Sequence, residues 1–486
     1  MAKALSGLEP AKVWEYFEEI CNHPHPSKKE EKLSAYILDW ARKHNFETQK
    51  DKLGNIVIRK KATIGMENRK GVCIQGHIDM VCEKNADVEF DFDKDPIQPY
   101  IDGDWVKAKG TTLGADNGIG VAMGLAILDS TNIPHPALEL LCTLDEETGL
   151  TGAIQLGSNL LDSQILINLD SEEDGHFTIG CAGGINTNGH YNYDSDYVPE
   201  NTIAYEPVVK GLKGGHSGIE IHDGRANAIK LMTRLIKNLM HEYNINLSSF
   251  NSGSKHNAIP REAFATVVVP AVVEKYFVEF IDTFQKTILA EWKTKEPNIS
   301  ISATVTEMPK RVMTEDFQTR LINSFYAMPH GVIRMSPDIQ GLVQTSTNFA
   351  IVETKDDEVL VVTSQRSSVE SEKADIASMV KSTLELGGAR VKLGDGYPAW
   401  SPDINSPILN IAKKVFKNLW GKEPVIEAIH AGLECGLIGE KYPQMDMLSF
   451  GPNLVDVHSP DEKVQISTVD KAWKLLLAIL KNIPVK

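Results

Sequence analysis

Carboxylates and imidazoles recur directly after apolar, strand-like runs of this chain. His77 closes the run 72–75 within Gly76-His77-Ile78-Asp79. Residues two apart share one face of a strand, so Asp79 can accept the second ring N–H of His77, fixing its tautomer and raising its basicity as a ligand. Asp116 stands in the glycine-flanked turn Leu113-Gly114-Ala115-Asp116-Asn117-Gly118, ahead of a helix-length segment. Asp145-Glu146-Glu147 follows the apolar run 137–144, and Asp170-Ser171-Glu172-Glu173-Asp174 follows 165–169. His458 lies in a turn after the run 445–450.

Each block alone has an ordinary structural explanation. Asp and Asn are common turn and N-cap residues, acid triplets are tolerated in solvated loops, and a lone loop histidine is unremarkable. Their combination changes the balance, because ligands in open α/β folds gather at the carboxyl ends of strands. One His, three carboxylates and a second His can satisfy two divalent cations that share a bridging carboxylate. Two ions at +4, three carboxylates at −3 and one hydroxide at −1 leave a neutral cluster. Imidazole with carboxylate suits zinc first, then Mn²⁺ or Co²⁺. Of two neighbouring acids, one can ligate while the next takes the proton of an attacking water. Such a pair of ions is hydrolase chemistry.

What must position these groups is an α/β framework. At 486 residues the chain exceeds a single core, which stops growing near about 250–300 residues. Helical periodicity over 10–21 and 33–40 alternates with short apolar runs at 55–58, 72–75, 137–144 and 165–169, with a helix-length segment at 118–129 between two of them. This order predicts a mixed, largely parallel sheet between helices. The character changes near residue 185, where expected helices (225–242, 272–293, 370–386) mix with more exposed strands (299–306, 359–364). Helix–strand alternation returns at 408–419, 425–428, 445–450 and 468–480. The expected organisation is a catalytic domain in two parts, 1–184 and 395–486, interrupted by an inserted α+β lid or dimerisation domain over 185–394.

Composition narrows the function class. Sixty-six acidic against fifty basic residues give a net charge of −16, which argues against nucleic acid or an anionic membrane as the main partner. The start has no signal-like apolar core, and runs such as 121–128 or 266–273 fall short of the roughly 20 residues that span a bilayer. Six cysteines without a C-x-x-C pair read as isolated thiols of a cytoplasmic protein.

The blocks GHIDMVCEK, GTTLGADNGIG, DEETGLTGA, LDSEEDG, GGHSGIEIHDGRANA and HAGLECG, in this order, resemble the co-catalytic zinc exopeptidases, and most closely the aminoacyl-histidine dipeptidases of bacterial carnosinase type. The resemblance implies a zinc-exopeptidase α/β/α domain and hydrolysis of dipeptides, with a leaning toward Xaa-His. It implies His77 and Asp170 on one ion, Glu147 and His458 on the other, and Asp116 bridging. Asp79 would orient His77. Glu146 would be the general base that deprotonates the attacking water and delivers the proton to the leaving amine. His216 is preferred over His222 as the donor to the developing oxyanion. Asn257 would contact substrate, Arg366 would hold its α-carboxylate, and His430 and Gly432 would line the pocket. Glu434 would meet either a free α-amino group or a structural ion-pair partner.

The inserted segment is about twice the length of the dimerisation lobe of many relatives, so the resemblance leaves monomer or homodimer open. Two rival readings are an aminoacylase acting on N-acyl amino acids and a non-catalytic metal-dependent binding protein. The latter would have no use for Glu146 beside Glu147. A serine hydrolase fails because Gly215-His216-Ser217-Gly218-Ile219 lacks the final glycine of G-x-S-x-G. No dinucleotide fingerprint or P-loop is present.

Overall fold

The computed structural model describes residues 4–486, which form two units. The first runs to Cys181 and resumes over Trp400–Ala428 and Leu433–Lys486, and the second comprises Ala182–Ala399 with Ile429–Gly432.

The first unit is built on a sheet ordered Glu47–Lys50, Ile56–Lys60, Leu138–Thr143, Val72–His77, Ile165–Asn168, Asp446–Ser449, His176–Cys181 and Val425–Ile429. Val72–His77 runs parallel to both Leu138–Thr143 and Ile165–Asn168, and Asp446–Ser449 runs parallel to Ile165–Asn168. Ile56–Lys60 and Glu47–Lys50 are antiparallel additions. The central strands read as unbroken apolar runs because both faces are covered: Val72–His77, Leu138–Thr143 and Ile165–Asn168 are buried throughout. Each fully buried Ile or Leu there contributes about 1.5–3 kcal/mol.

Helix Ala11–Cys21 buries Val13, Trp14, Phe17 and Ile20 on one stripe. Helix Ala115–Asp129 is buried on nearly every side, and small residues let it lie close to the sheet. A Cβ at Gly120 would stand 2.6 Å from the Leu169 carbonyl oxygen, and one at Gly76 would stand 2.1 Å from Asn117 Oδ1. The glycines of this helix thus serve packing. Because the central strands are parallel, their carboxyl ends share one edge, where His77, Asp145–Glu147, Asp170 and the segment after Ser449 emerge.

A smaller sheet of Leu454–Val455, Lys463–Gln465, Trp105–Ala108 and Pro99–Asp102 joins the last hairpin to an early one. The second unit is an antiparallel sheet ordered Ser300–Val305, Thr202–Lys210, Ala263–Pro270, Asn246–Ser252, Val343–Thr354, Glu358–Ser367, Gly183–Asn192 and Arg390–Leu393, with Gly331–Met335 on Val343–Thr354. Helices Ala228–Tyr243, Glu274–Trp292, Glu315–Ala327 and Glu370–Leu386 share its apolar core. The helix expected from residue 225 begins at Ala228, because Asn227 caps it by accepting the Lys230 N–H at 3.2 Å. Arg225 instead donates to the Gly214 carbonyl.

Candidate metal centre

The five expected ligands, contributed from position 77 to 458, converge at the carboxyl edge of the first unit's sheet. His77 Nε2 lies 3.0 Å from Asp116 Oδ1 and 3.4 Å from Asp170 Oδ1. His458 Nε2 lies 3.3 Å from Asp116 Oδ2 and 2.9 Å from Glu147 Oε2. Ligand atoms of His77, Asp116 and Asp170 fall within 4.8 Å of one another, as do those of Asp116, Glu147 and His458. Asp116 is common to both groups and turns one oxygen toward each imidazole. His77, Glu146 and Glu147 form a third such group, which puts the expected base beside the ligands.

The second ring nitrogen of His77 is also accounted for. Its Nδ1 is 3.1 Å from the Asp79 backbone oxygen and 3.3 Å from Asp79 Oδ1. The Asp79 carboxylate does more than face His77: it accepts the backbone N–H groups of Glu146 (2.9 Å) and Glu147 (3.2 Å) and the Ser27 hydroxyl (2.7 Å). The turn carrying base and ligand is therefore tied to the residue that orients the histidine. His458 sits in the loop between strands Leu454–Val455 and Lys463–Gln465, with φ +61° and a half-exposed side chain.

Charge is crowded here. Burial pushes the carboxyl of Glu147 up, and those of Glu146 and Asp170 likewise, with neighbouring carboxylates adding to the effect. Burial alone would push His77 down, but Asp170, Asp116 and Asp79 hold its imidazole well above the ordinary range. Hydrogen bonds to Asp116 and Glu147 push His458 up to about 10. Burial would raise Asp116, yet His458 and His77 hold it below the usual carboxylate range. Protons on the imidazoles thus supply the positive charge that the carboxylates require, and a divalent ion placed among them reverses that requirement. The donor set fits cations on a second count: Glu147 Oε1 is buried without a hydrogen-bond partner, and buried Asp170 Oδ1 has the long 3.4 Å approach of His77 Nε2 but no hydrogen bond of ordinary geometry.

The remaining expected residues belong to the second unit, where they gather around one stretch of strand. His216 pairs with Ala258, and Ser217 N–H donates to the Asn257 carbonyl, so His216 and Asn257 are neighbours. Gly218 and Ile219 N–H donate to His216 Nδ1 at 3.2 and 3.1 Å, which leaves Nε2 as the protonated, donating nitrogen. Arg366 is paired in register with Ser346, whose hydroxyl lies 2.7 Å from His430 Nε2, and Arg366 Nη1 donates to the Tyr397 hydroxyl at 2.8 Å. Gly432 lies against the Tyr397 ring. Burial, then the Arg366 charge, pushes His216 and His256 down and His430 to about 3, so Arg366 is a cation among neutral imidazoles.

Sequence reasoning missed Ser346, Asn348 and Tyr397. Asn348 Nδ2 holds the segment next to Asn257 by donating to the Ala258 carbonyl at 2.8 Å. No spacing in the chain announces these contacts. Glu434 belongs to the first unit and accepts from Gln75 Nε2 (2.6 Å) and the Thr143 hydroxyl (2.8 Å). Its bonds are to neutral groups, which replaces the ion-pair expectation.

Residues 73–482 match Peptidase family M20/M25/M40. The chain is 46% identical over 482 residues, 99% of each sequence, to the cytosol non-specific dipeptidase of Escherichia coli (strain K12). Among solved structures, aminoacylhistidine dipeptidase from Vibrio alginolyticus superposes with a TM-score of 0.94 at 45% identity, covering 99% of this chain and 98% of that one. Aminopeptidase PepT from Bacillus cereus ATCC 10987 shares the fold, with a TM-score of 0.58 at 16% identity over 98% and 99% of the two chains.

Proposed function

Because the chain belongs to Peptidase family M20/M25/M40, we propose that it hydrolyses dipeptides at a centre of two divalent cations, with broad tolerance for the first residue and a leaning toward C-terminal histidine. It is a metal-dependent peptide hydrolase, and its dipeptidase activity follows from the two near full-length relatives. The observation that carries the site is Asp116, which directs one carboxylate oxygen to His77 and the other to His458. His77, Asp116 and Asp170 would hold one cation, and Asp116, Glu147 and His458 the other. Bound there, the cations would lower the pKa of water and polarise the scissile carbonyl. The donor set favours Zn²⁺, with Co²⁺ or Mn²⁺ able to substitute.

Glu146 takes the proton of the attacking water and passes it to the leaving amine. Asp79 positions Glu146 through its backbone N–H and keeps His77 in one tautomer. For His216 we infer the role of oxyanion donor, supported by its neutral state and protonated Nε2. Arg366, an isolated cation among neutral polar groups, suits a substrate α-carboxylate, with Asn257, His430 and Gly432 around it. A cytoplasmic location accords with six free cysteines and with the similarity to the cytosol non-specific dipeptidase of Escherichia coli. No described helix is long and apolar enough to cross a membrane.

The test is a panel of β-Ala-His, Gly-His, a dipeptide without histidine, and N-acetyl-His, each given to protein loaded with Zn²⁺. Turnover of the dipeptides, faster where histidine is second, is expected. Turnover of N-acetyl-His alone would replace the dipeptidase reading with the aminoacylase one.

A further inference from the structure

Among the buried carboxylates outside this chemistry, Glu462 is the one bonded to the turn of Asp116. Glu462 is 3% exposed and receives four consecutive backbone N–H groups from the turn that carries Asp116. Its Oε2 accepts from Leu113 (2.7 Å) and Gly114 (3.0 Å), and its Oε1 accepts from Ala115 (2.8 Å) and Asp116 (3.3 Å). They belong to the turn that leads into helix Ala115–Asp129: Gly114 lies in the left-handed region at φ +71° and has no side chain to satisfy them, and Asp116 (ψ 106°) and Asn117 (ψ 28°) depart from helical geometry. A charged acceptor for such N–H groups makes the stronger kind of hydrogen bond.

Glu462 also immediately precedes strand Lys463–Gln465, one arm of the hairpin whose loop carries His458. That strand is fixed on its other side to Trp105–Ala108. A single carboxylate therefore joins the backbone of Asp116 to the hairpin of His458, two groups whose side chains also meet at 3.3 Å.

We propose that Glu462 is a positioning residue for the metal centre: by clamping residues 113–116 it sets the place of the Asp116 carboxylate relative to His458 before any cation arrives. The proposal rests on the two-cation reading above. It requires that the clamp exist in the cation-free protein and that its loss weaken cation binding rather than foldedness alone. Glu462→Gln keeps the volume but turns an NH₂ group toward two N–H donors, so it removes half the cradle without opening a cavity.

The experiment uses the full-length, chelator-treated protein. Zn²⁺ is titrated calorimetrically into wild type and E462Q, and the Co²⁺ absorption spectrum is recorded for both, with circular dichroism confirming equal helix content. Expected are two ions in wild type, and in E462Q a 10- to 100-fold loss of affinity, the range seen when a group orienting a ligand is removed, with a shifted Co²⁺ spectrum. Wild-type affinity and an unchanged spectrum in E462Q would overturn the proposal. A wild type that takes up no ions would instead defeat the metal reading itself. Amide hydrogen exchange of cation-free wild type decides the matter even if E462Q does not fold. Slowed exchange at residues 113–116 supports the clamp, and exchange at the rate of an open loop refutes it.

Discussion

Asp79 Oδ1 accepts the backbone N–H of Glu146 at 2.9 Å, so the residue that faces His77 also fixes where the base stands. Asp79→Asn offers one oxygen in place of two acceptors and turns an NH₂ group toward backbone donors. We expect kcat to fall at least tenfold in a folded, metal-loaded protein, with KM changed much less. Unaltered kcat would remove Asp79 from the machinery.

Glu146→Gln should keep both cations and the fold while losing about 10²–10⁴-fold in kcat, the usual scale of general acid–base assistance. Metal analysis of the variant beside its turnover separates the two effects. Wild-type kcat in a fully loaded variant would transfer the role to another group.

Cation binding should release protons. Without ions, His458 is held near pKa 10 by Asp116 and Glu147, and His77 is also raised, so both imidazoles are protonated at pH 7. Cations require the neutral nitrogens, so affinity should rise with pH, by up to about tenfold per unit for each proton displaced. Calorimetric titration in two buffers of different ionisation heat measures this number. Identical heats in both buffers would contradict it.

His216→Ala should lower kcat by about 10²–10³-fold, the cost of one oxyanion donor, while both cations stay bound. If the loss falls entirely on KM, the side chain binds substrate in its ground state rather than serving the transition state.

The second unit should weaken in acid. Burial, assisted by the Lys230 charge, pushes His330 down to about 4, and its Nδ1 accepts the Phe349 N–H at 3.3 Å. The unfolded chain takes up this proton near 6.5 and the folded one only near 4. Stability is therefore flat above about pH 6.5 and falls between 6.5 and 4, by at most about 3 kcal/mol and by less in proportion to the ring's partial exposure. Urea unfolding at pH 7.5 and 4.5 should show a smaller difference for His330→Asn than for wild type. An equal difference would assign the acid sensitivity elsewhere.

The catalytic framework was legible because parallel strands buried on both faces leave unmistakable apolar runs, and each of these ends in an acid or a histidine. Much of the second unit was hidden because its buried strands are polar. Val343–Thr354 buries Gln344, Thr345, Ser346, Thr347 and Asn348. Such residues persist inside because they find hydrogen-bond partners, as Thr345 does in Ser367 at 2.9 Å and Ser346 in His430 at 2.7 Å. Helix Glu315–Ala327 is legible in the sequence by its end signals: Thr314 as N-cap, two acids in the first turn, and Phe317, Leu321, Ile322 and Phe325 on one face. Glu462 carried none, since its partners are backbone amides, which look the same at every position of a sequence.

Strand Asp446–Ser449 lies between Ile165–Asn168 and His176–Cys181. During synthesis the first unit must therefore wait for this inner strand until most of the chain has left the ribosome, whereas the bulk of the second unit, Ala182–Ala399, precedes it. Vectorial folding is therefore expected to complete the inserted segment before the unit encoded on either side of it. A truncation ahead of residue 446 should accordingly leave the inserted segment folded and the first unit open to proteolysis.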